Sequence, residues 1–531
     1  MRVEINSTGV ASAHLPQNDQ MKPPYSAAGS GFCFRRARKQ KGLVIALALA
    51  TSIAASPALA QNANMSNLTT DTPDEVAKRT IQKKEDPLAK RTEMRAVAAI
   101  ASSALARTTS LSKPRSDSPD VDPFAKFENL REKGTVLTVP GPADTIDQDK
   151  GGVRSALAEV GIGYVGWTQN TFVNNLLPNA AKSTIANQLY NGQNPTFNTV
   201  NAMMVTYDLS RFGVPDGQII VGTEQQWWTW NPGGPDRIGL ATFAFYQTFF
   251  DRKLEFKIGY LRNSYEFAGI WVGGNAGANV FGPSGNILYQ GGIGNNAAPT
   301  PGIILKFNAG DQLYSKASLQ RSISPDGVFT EVTQNPTGLT WSTPNTGVLL
   351  LDEVGYQNKA ARGSPDTWLR AGAGFNNSNY TNLEYPKQPR ADENSFYYVA
   401  ADRQVWQTNA DSSPSRGIYG GFSVMYAPPD LNKVSQYYEL RLYVKGPFDW
   451  RPSDQISVVA TDTAWSKYSV ESALAAGNLV HWESKAISGT YTAHLAPGIY
   501  ANIGLSYIDN PTSVTYTPKT GHALNFSAST T

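Results

Sequence analysis

The stretch SQYYELRLYVK, residues Ser435–Lys445, separates polar from apolar side chains completely. Successive residues of a β-strand point to opposite faces of the sheet, so odd and even positions here form two different surfaces. One surface carries Tyr437, Glu439, Arg441, Tyr443 and Lys445, and the other carries Tyr438, Leu440, Leu442 and Val444. The pattern predicts a strand that lies between water and an apolar medium.

The same alternation recurs in 253–261, where Glu255 and Lys257 oppose apolar neighbours, and in 313–322, where Lys316 does so. A soluble β-sandwich with one wet face is the alternative for any single strand. From Glu159 to Thr531, however, about sixteen such segments follow one another.

The connections between these segments are alternately short and long. Short ones fall near 250–252, 308–312 and 496–497, and long ones near 264–301, 323–346 and 376–393. A closed barrel in an outer membrane has tight turns on one side, wide loops on the other and an even strand count. We therefore predict an all-β fold, a transmembrane antiparallel β-barrel of about sixteen strands formed by residues 151–531.

The composition agrees with a barrel and argues against a helical membrane protein. Of 531 residues, 40% are hydrophobic and 17% charged. Beyond the N-terminal region, no apolar run approaches the roughly 20 residues that a membrane helix needs. A barrel needs no such run, because only alternate residues contact lipid.

The N-terminus carries an export signal. Five basic residues between Arg35 and Lys41 precede an apolar run at 43–55, and Ala58-Leu59-Ala60 follows as a small-x-small cleavage site. The run is too short for a membrane anchor, which is the alternative. We predict a signal peptide at 1–60, cleavage between Ala60 and Gln61, and delivery to the outer membrane of a Gram-negative bacterium.

Loss of residues 1–60 changes the electrostatics of the chain. It removes seven Lys and Arg and two Asp and Glu, which leaves 39 basic against 41 acidic residues. Nucleic-acid binding therefore loses its electrostatic support. The one cysteine, Cys33, is removed as well, so the mature chain has no thiol or disulfide chemistry.

Residues 61–150 differ in character, being rich in Ala, Lys, Asp, Thr and Pro without aromatic alternation. Helical spacing at 93–108 predicts one helix, and prolines follow it. We predict a periplasmic spacer that is partly helical or disordered. The alternative is a docked helix that plugs or supports the barrel.

Four stretches resemble the carbohydrate-selective outer-membrane porins of the OprB type. They are NSFYYVAADRQVW (394–406), GGFSVMYAPPDLNKVSQYYELRLYVKG (420–446), FFDRKLEFKIGYLRNSYEFAG (249–269) and TPGIILKFNAGDQLYSKASLQRSISPDG (300–327). The APPD segment at 427–430 is the most specific of these motifs. The resemblance covers about 150–531. It implies a sixteen-stranded barrel that contacts outer-membrane lipid, is trimeric in general porins, and lets glucose-like sugars diffuse through its lumen.

Residues 217–230 contain the best local candidates for sugar contact. Glu224, Gln226, Trp228 and Trp230 share one face, which its polarity assigns to the lumen, whereas Trp227 faces lipid. The two inward tryptophans are interpreted as platforms for the flat C–H faces of sugars. A role in the aromatic girdle or in loop packing is the alternative.

Charged candidates lie on two walls of the predicted lumen and in the widest loop, and mixed charges suit neutral polyols. Paired salt-bridge ladders are the alternative role. Asp402 and Arg403 both fall in the resembling segment, although both face the lumen only if a bulge intervenes. The Gly-rich loop 264–301 either folds inward or stays on the surface. The charged candidates are Glu255, Lys257, Arg262, Glu266, Lys316, Asp402, Arg403, Glu439, Arg441 and Lys445.

An enzyme is poorly supported by the sequence. The mature chain has three scattered histidines, His481, His494 and His522, with no catalytic or metal-ligand spacing. We predict no catalytic residue, no metal site and no cofactor. A porin of general or different selectivity is the main alternative function, and a secreted sugar-binding β-protein is a further one.

Overall fold

A computed structural model describes residues 122–136, 139–178, 188–229, 238–269, 283–294 and 298–531. The signal peptide, the helix predicted at 93–108 and the candidate Trp230 lie outside these residues. The described chain forms one closed antiparallel barrel in which each strand pairs with its neighbours in sequence and β1 pairs with β16. The barrel of about sixteen strands predicted from alternation is confirmed.

The sixteen strands contain 8 to 16 residues each, as expected for tilted membrane strands. Their bounds are β1 Ile162–Asn175, β2 Thr196–Asp208, β3 Gln218–Trp228, β4 Gly239–Phe249, β5 Leu254–Leu261, β6 Thr300–Ala309, β7 Leu313–Arg321, β8 Val348–Asn358, β9 Thr367–Asn376, β10 Asn394–Asn409, β11 Ser413–Tyr426, β12 Val434–Lys445, β13 Gln455–Trp465, β14 Glu483–Ala496, β15 Ile499–Asp509 and β16 His522–Thr530.

Side chains alternate between the two faces of the wall as the sequence predicts. In β12, Glu439 is 4% exposed and faces inward, whereas the adjacent Leu440 is 67% exposed on the outer face. In β5, Lys257 is buried and Ile258 is exposed on the outer face. The outer face is therefore apolar and the inner face polar, as in barrels that span a membrane.

The connections sort by length onto the two ends of the barrel. Those after even-numbered strands are short, as at 250–253, 310–312, 410–412 and 497–498, and those after odd-numbered strands include 176–195, 262–299 and 322–347. Short turns mark the periplasmic end of outer-membrane barrels. The predicted sorting of short and long connections onto opposite ends of the barrel is thus confirmed.

Short helices occur in the loops and before the barrel. They are α1 Val153–Glu159, α2 Pro283–Gln290, α3 Val328–Gln334 and α4 Lys467–Ala475. Within the described ranges, every helix is too short or too polar to cross a bilayer.

The described residues of the loop between β5 and β6, 262–269, 283–294 and 298–299, fold into the barrel. The Ala268 N–H donates to Glu353 Oε2 at 2.7 Å and to Tyr398 Oη at 3.2 Å, both on the inner wall. Asn376 on β9 donates to the carbonyl of Gly291 at 2.8 Å, near the end of the loop. Of the two alternatives for this loop, the inward one is observed in its described residues.

Residues 122–136 and 139–161 precede β1 and contact the inside and the periplasmic rim of the barrel. The Thr206 hydroxyl donates to the Leu130 carbonyl, so the chain lies against β2. Farther along, Asp144 accepts hydrogen bonds from Gly498 N–H at 2.9 Å and from the Tyr500 hydroxyl, at the β14–β15 turn. The described residues of this segment are therefore docked, whereas residues 61–121, which include most of the predicted spacer, lie outside the described residues.

Candidate functional site: the inner wall

A cluster of charges surrounds the start of the inward loop. This group, here termed the loop cluster, consists of Glu132, Lys257, Arg262, Glu266, Lys316 and Glu353. Lys257 pairs with Glu266 and lies 3.7 Å from Glu132, whose carboxylate accepts two hydrogen bonds from Arg262 at 3.0 and 3.2 Å. Lys316 lies 3.7 Å from Glu353.

A second group, the Arg441 cluster, occupies β9, β10 and β12. Arg441 pairs with Glu439, and its Nε lies 3.3 Å from Asp402 Oδ1. The Tyr443 hydroxyl donates to Asp402 at 3.2 Å, and Arg370 Nη2 lies 3.7 Å from the same carboxylate. Glu439, Arg441 and Asp402, three of the predicted inward charges, are thus brought together, and they are paired, as in the salt-bridge alternative.

A row of aromatic side chains links the two clusters. The Arg370 guanidinium lies 3.1 Å from the centre of the Trp368 ring, and Trp368 Nε1 donates to the Tyr314 hydroxyl at 3.1 Å. Tyr314 and Tyr398 then donate to the two oxygens of Glu353, at 3.0 and 2.9 Å. Flat rings next to fixed polar groups are the elements from which sugar-binding surfaces are built.

A cavity of about 120 Å³ opens beside the loop cluster. Its lining includes four aromatic residues, among them Tyr314 and Trp368, and the charged pair of Lys306 and Glu255, which are 2.7 Å apart. Glu255 also accepts hydrogen bonds from Tyr246 at 2.9 Å and Asn308 at 2.8 Å. Glu255 therefore lines this cavity with its charge already paired.

The candidates on β3 form a hydrogen-bonded ladder along one face. Trp228 Nε1 donates to Gln226 at 3.1 Å, and Gln226 Nε2 donates to Glu224 at 2.6 Å. The three side chains are buried on the inner face, whereas Trp227 is 51% exposed on the outer face, where its ring packs beside Phe197. This geometry agrees with the predicted inward orientation of Trp228 and outward orientation of Trp227.

Lys445 and Arg403 lie apart from both clusters. Lys445 stands 4.4 Å above the Tyr419 ring and 3.9 Å from Asp366, toward the periplasmic end. Arg403 points outward and is exposed, which corrects its prediction as a lumen residue. The register of β10 shifts only after Gln404, so alternation continues through Asp402 and Arg403 and places them on opposite faces.

The opposite wall differs in chemistry. In a ring of sixteen strands, β13–β16 face β5–β8. Their inward positions contain no Asp, Glu, Lys or Arg; the side chains there are mainly small and hydroxylated, including Ser457, Thr490, Ser506, Ser527 and Ser529. A charged, aromatic wall thus faces a neutral wall of hydroxyl groups.

The three histidines lie at separate places. His481 contacts Thr512 in an outer loop, His494 contacts Asp144 at the periplasmic rim, and His522 lies 3.1 Å from Asp509. In the part of the chain that is described, no group of three or more His, Cys, Asp or Glu side chains has the arrangement to hold a metal ion.

Several members of the site are missed by sequence reasoning. Glu353, Arg370 and Trp368 all sit at inward positions. In β9 alternation carries this signal, because Leu369 between Trp368 and Arg370 faces outward. In β8 it does not, because the adjacent charged residue Asp352 faces outward. Glu132 has no such signal, since it lies outside any alternating segment.

A closed sixteen-stranded barrel with a polar inner and an apolar outer face, narrowed by an inward loop, has the architecture of an outer-membrane porin. The family model described as "Carbohydrate-selective porin, OprB family" matches residues 229–524. The chain belongs to this family.

One solved structure supports the same fold, and two others are more distantly similar. The high-pH structure of Pseudomonas putida OprB aligns with a TM-score of 0.60 at 16% identity, covering 73% of this chain and 98% of that one. The low-pH structure of the same protein gives a TM-score of 0.45 at 14% identity, covering 74% and 100%. A triple mutant of Rhodopseudomonas blastica porin gives 0.39 at 8% identity, covering 70% and 99%. Among curated proteins, no sequence match is found.

Proposed function

We propose that the chain is a channel for passive diffusion of small neutral sugars, glucose-like monosaccharides and short oligosaccharides, across the outer membrane. The observation that carries this proposal is the pairing of charges along the inner wall. In both clusters most carboxylates lie next to a cation, so the wall offers fixed hydrogen-bonding groups of both signs. Such a wall suits hydroxyl-rich permeants more than ions of one sign.

The arrangement also suits weak binding, which a channel needs. A permeant held at millimolar affinity gains about −4 kcal/mol, and tighter binding slows its release. Each hydroxyl gains about 0.5–1.5 kcal/mol on exchanging water for a protein partner. A few contacts with Trp228, Trp368 or Lys445 therefore suffice.

The outer surface fits the same role. Leu440, Leu350 and Ile487 are all more than half exposed on the outer face, as expected for contact with membrane lipid. Export with cleavage between Ala60 and Gln61 and assembly as a homotrimer belong to this proposal as well. Chemical crosslinking in native membranes tests this assembly. A homotrimer predicts crosslinked species of two and three subunits and none larger.

Single-channel recording in planar bilayers tests the proposed permeant. Added glucose is expected to interrupt the ion current reversibly, with half-saturation in the millimolar range that corresponds to about −4 kcal/mol. A size-matched polyethylene glycol serves as the control. Equal reduction of the current by both solutes would contradict sugar binding in the lumen.

A further inference from the structure

The segment before the barrel places a carboxylate inside the loop cluster. Glu132 lies 3.0 Å from Arg262 and 3.7 Å from Lys257, and its side chain is only 7% exposed. The family model begins at residue 229 and does not include this position. Among the described residues, Glu132 is the one carboxylate within ion-pair distance of Arg262.

Hydrogen bonds between the backbone of this segment and its neighbours hold it against the wall. Lys133 N–H donates to Gln218 Oε1 at 3.0 Å, and Gln218 Nε2 donates back to the Arg131 carbonyl at 3.0 Å. Val136 N–H donates to the Tyr265 carbonyl at 2.9 Å. The position of Glu132 is therefore fixed on both sides by bonds to β3 and to the inward loop.

Two glycines allow the close approach. A Cβ atom on Gly163 of β1 would lie 2.3 Å from the Leu130 carbonyl oxygen. A Cβ atom on Gly134, whose φ is +68°, would lie 2.7 Å from the Tyr246 ring. Any larger residue at Gly163 must push the segment away from the wall, because backbone atoms cannot yield as a flexible side chain does.

The charge of Glu132 matters because its two cationic neighbours, Lys257 and Arg262, differ in the partners that remain when Glu132 is removed. Lys257 keeps Glu266 as a partner when Glu132 is removed, but Arg262 loses its only direct ion pair among the described residues. Glu224 acts on Arg262 electrostatically from β3, beyond ion-pair distance. Loss of Glu132 thus leaves the positive charge of Arg262, at the start of the inward loop, without an ion-pair partner in the described part of the chain.

We propose that Glu132 is a selectivity-determining residue of the channel. By neutralising Arg262 it keeps the narrow part of the lumen from attracting anions, and so preserves the preference for neutral permeants. This inference rests on the proposed function only in taking the lumen as the pathway. The segment before the barrel, which carries Glu132, then forms part of the wall of the channel.

The test is the anion-to-cation permeability ratio, taken from reversal potentials in a salt gradient. E132Q is expected to raise the ratio roughly two- to fivefold, the effect of one uncompensated charge several ångströms from the path. G163V is expected to shift the ratio in the same direction without changing any charge. E128Q is the matched control, because Glu128 lies on the same segment, is 52% exposed and pairs with Arg131.

The double variant E132Q/R262Q separates charge from structure. It removes one negative and one positive charge, so the ratio is expected to return to the wild-type value, whereas loss of a merely structural contact would not be reversed. A ratio unchanged in E132Q, or a wild-type protein without conductance, overturns the inference. Normal salt conductance without any effect of sugars overturns the proposed permeant and leaves the role of Glu132 to be decided by the ratio.

Discussion

Glu132 and Arg262 are joined by two hydrogen bonds, of 3.0 and 3.2 Å, across 130 positions of sequence. Both side chains are more than nine-tenths buried. Removing one partner of a buried ion pair leaves the other charge without compensation, at a cost of several kcal/mol. The contact between the segment before the barrel and Arg262 therefore contributes to the free energy of unfolding of the barrel.

Arg262→Ala is expected to lower the free energy of unfolding by about 3 kcal/mol, because Glu132 then stays buried with only the more distant Lys257 as partner. Urea unfolding in lipid vesicles measures the change. Arg362→Ala is the control, since Arg362 and Asp411 are 81% and 70% exposed and such a pair contributes about 0–1 kcal/mol. Equal effects of the two substitutions would show that the pair is not buried in the membrane-embedded protein.

Leu440→Arg is expected to destabilise the barrel by roughly 2–4 kcal/mol, because Leu440 lies on the outer face in the middle of β12 and contacts lipid. Leu313→Arg is the matched control. Leu313 is also exposed on the outer face but begins β7 at the periplasmic end, where the same change costs about 0–1 kcal/mol. The reverse order of the two costs would place the membrane elsewhere on the barrel.

Trp228→Ala is expected to weaken interruption of the ion current by glucose severalfold, since one ring or hydrogen-bond contact contributes about 0.5–1.5 kcal/mol. Trp227→Ala, one residue away on the outer face, should leave the half-saturating glucose concentration unchanged. Single-channel titration with glucose measures both variants. A larger effect of Trp227→Ala would favour the girdle interpretation of this strand.

Contacts at the periplasmic rim are expected to loosen in acid. Burial raises the pKa of Asp144, but hydrogen bonds from Tyr500, Gly498 and His494 outweigh it and hold the pKa below the usual 3.8. At Asp454 too, burial raises the pKa, and the bonds from Arg451, Tyr491 and the His494 N–H lower it below 3.8. A carboxylate with a lowered pKa stabilises the fold above its usual pKa, and this contribution is lost as the pH falls through the folded value.

Hydrogen exchange of residues 139–150 should therefore stay slow from about pH 5 to 7 and, after correction for intrinsic rates, increase below about pH 3.8. Asp144→Asn removes the ionisable group and should make the segment exchange faster already at neutral pH. Loosening as the pH rises from 5 to 7, with none in acid, would contradict this assignment.

The architecture follows from local patterns in the sequence. Alternation in β12 and the order of short and long connections are properties of neighbouring residues, and in this barrel every strand pairs with its neighbour in the chain. The local signal therefore determines strand number, the facing of Glu439 and Leu440, and which loops lie outside. One register shift, after Gln404, comes too late to turn Arg403 inward.

The composition of the site depends on contacts that no local pattern shows. Ala268 meets Glu353 across 85 positions, and Glu132 meets Arg262 across 130. Whether the β5–β6 loop folds inward is decided by such bonds, so the sequence left both alternatives open. The pairing of Arg370 with Asp402 likewise depends on the neighbouring β9 and β10 lying side by side.

Swelling of liposomes that contain the protein tests the central claim most directly. With a panel of neutral sugars and size-matched neutral solutes that lack hydroxyl groups, the paired-charge wall predicts faster entry of the sugars at equal molecular size. Entry rates that follow molecular size alone, with sugars and other solutes on one curve, would contradict a sugar-selective lumen.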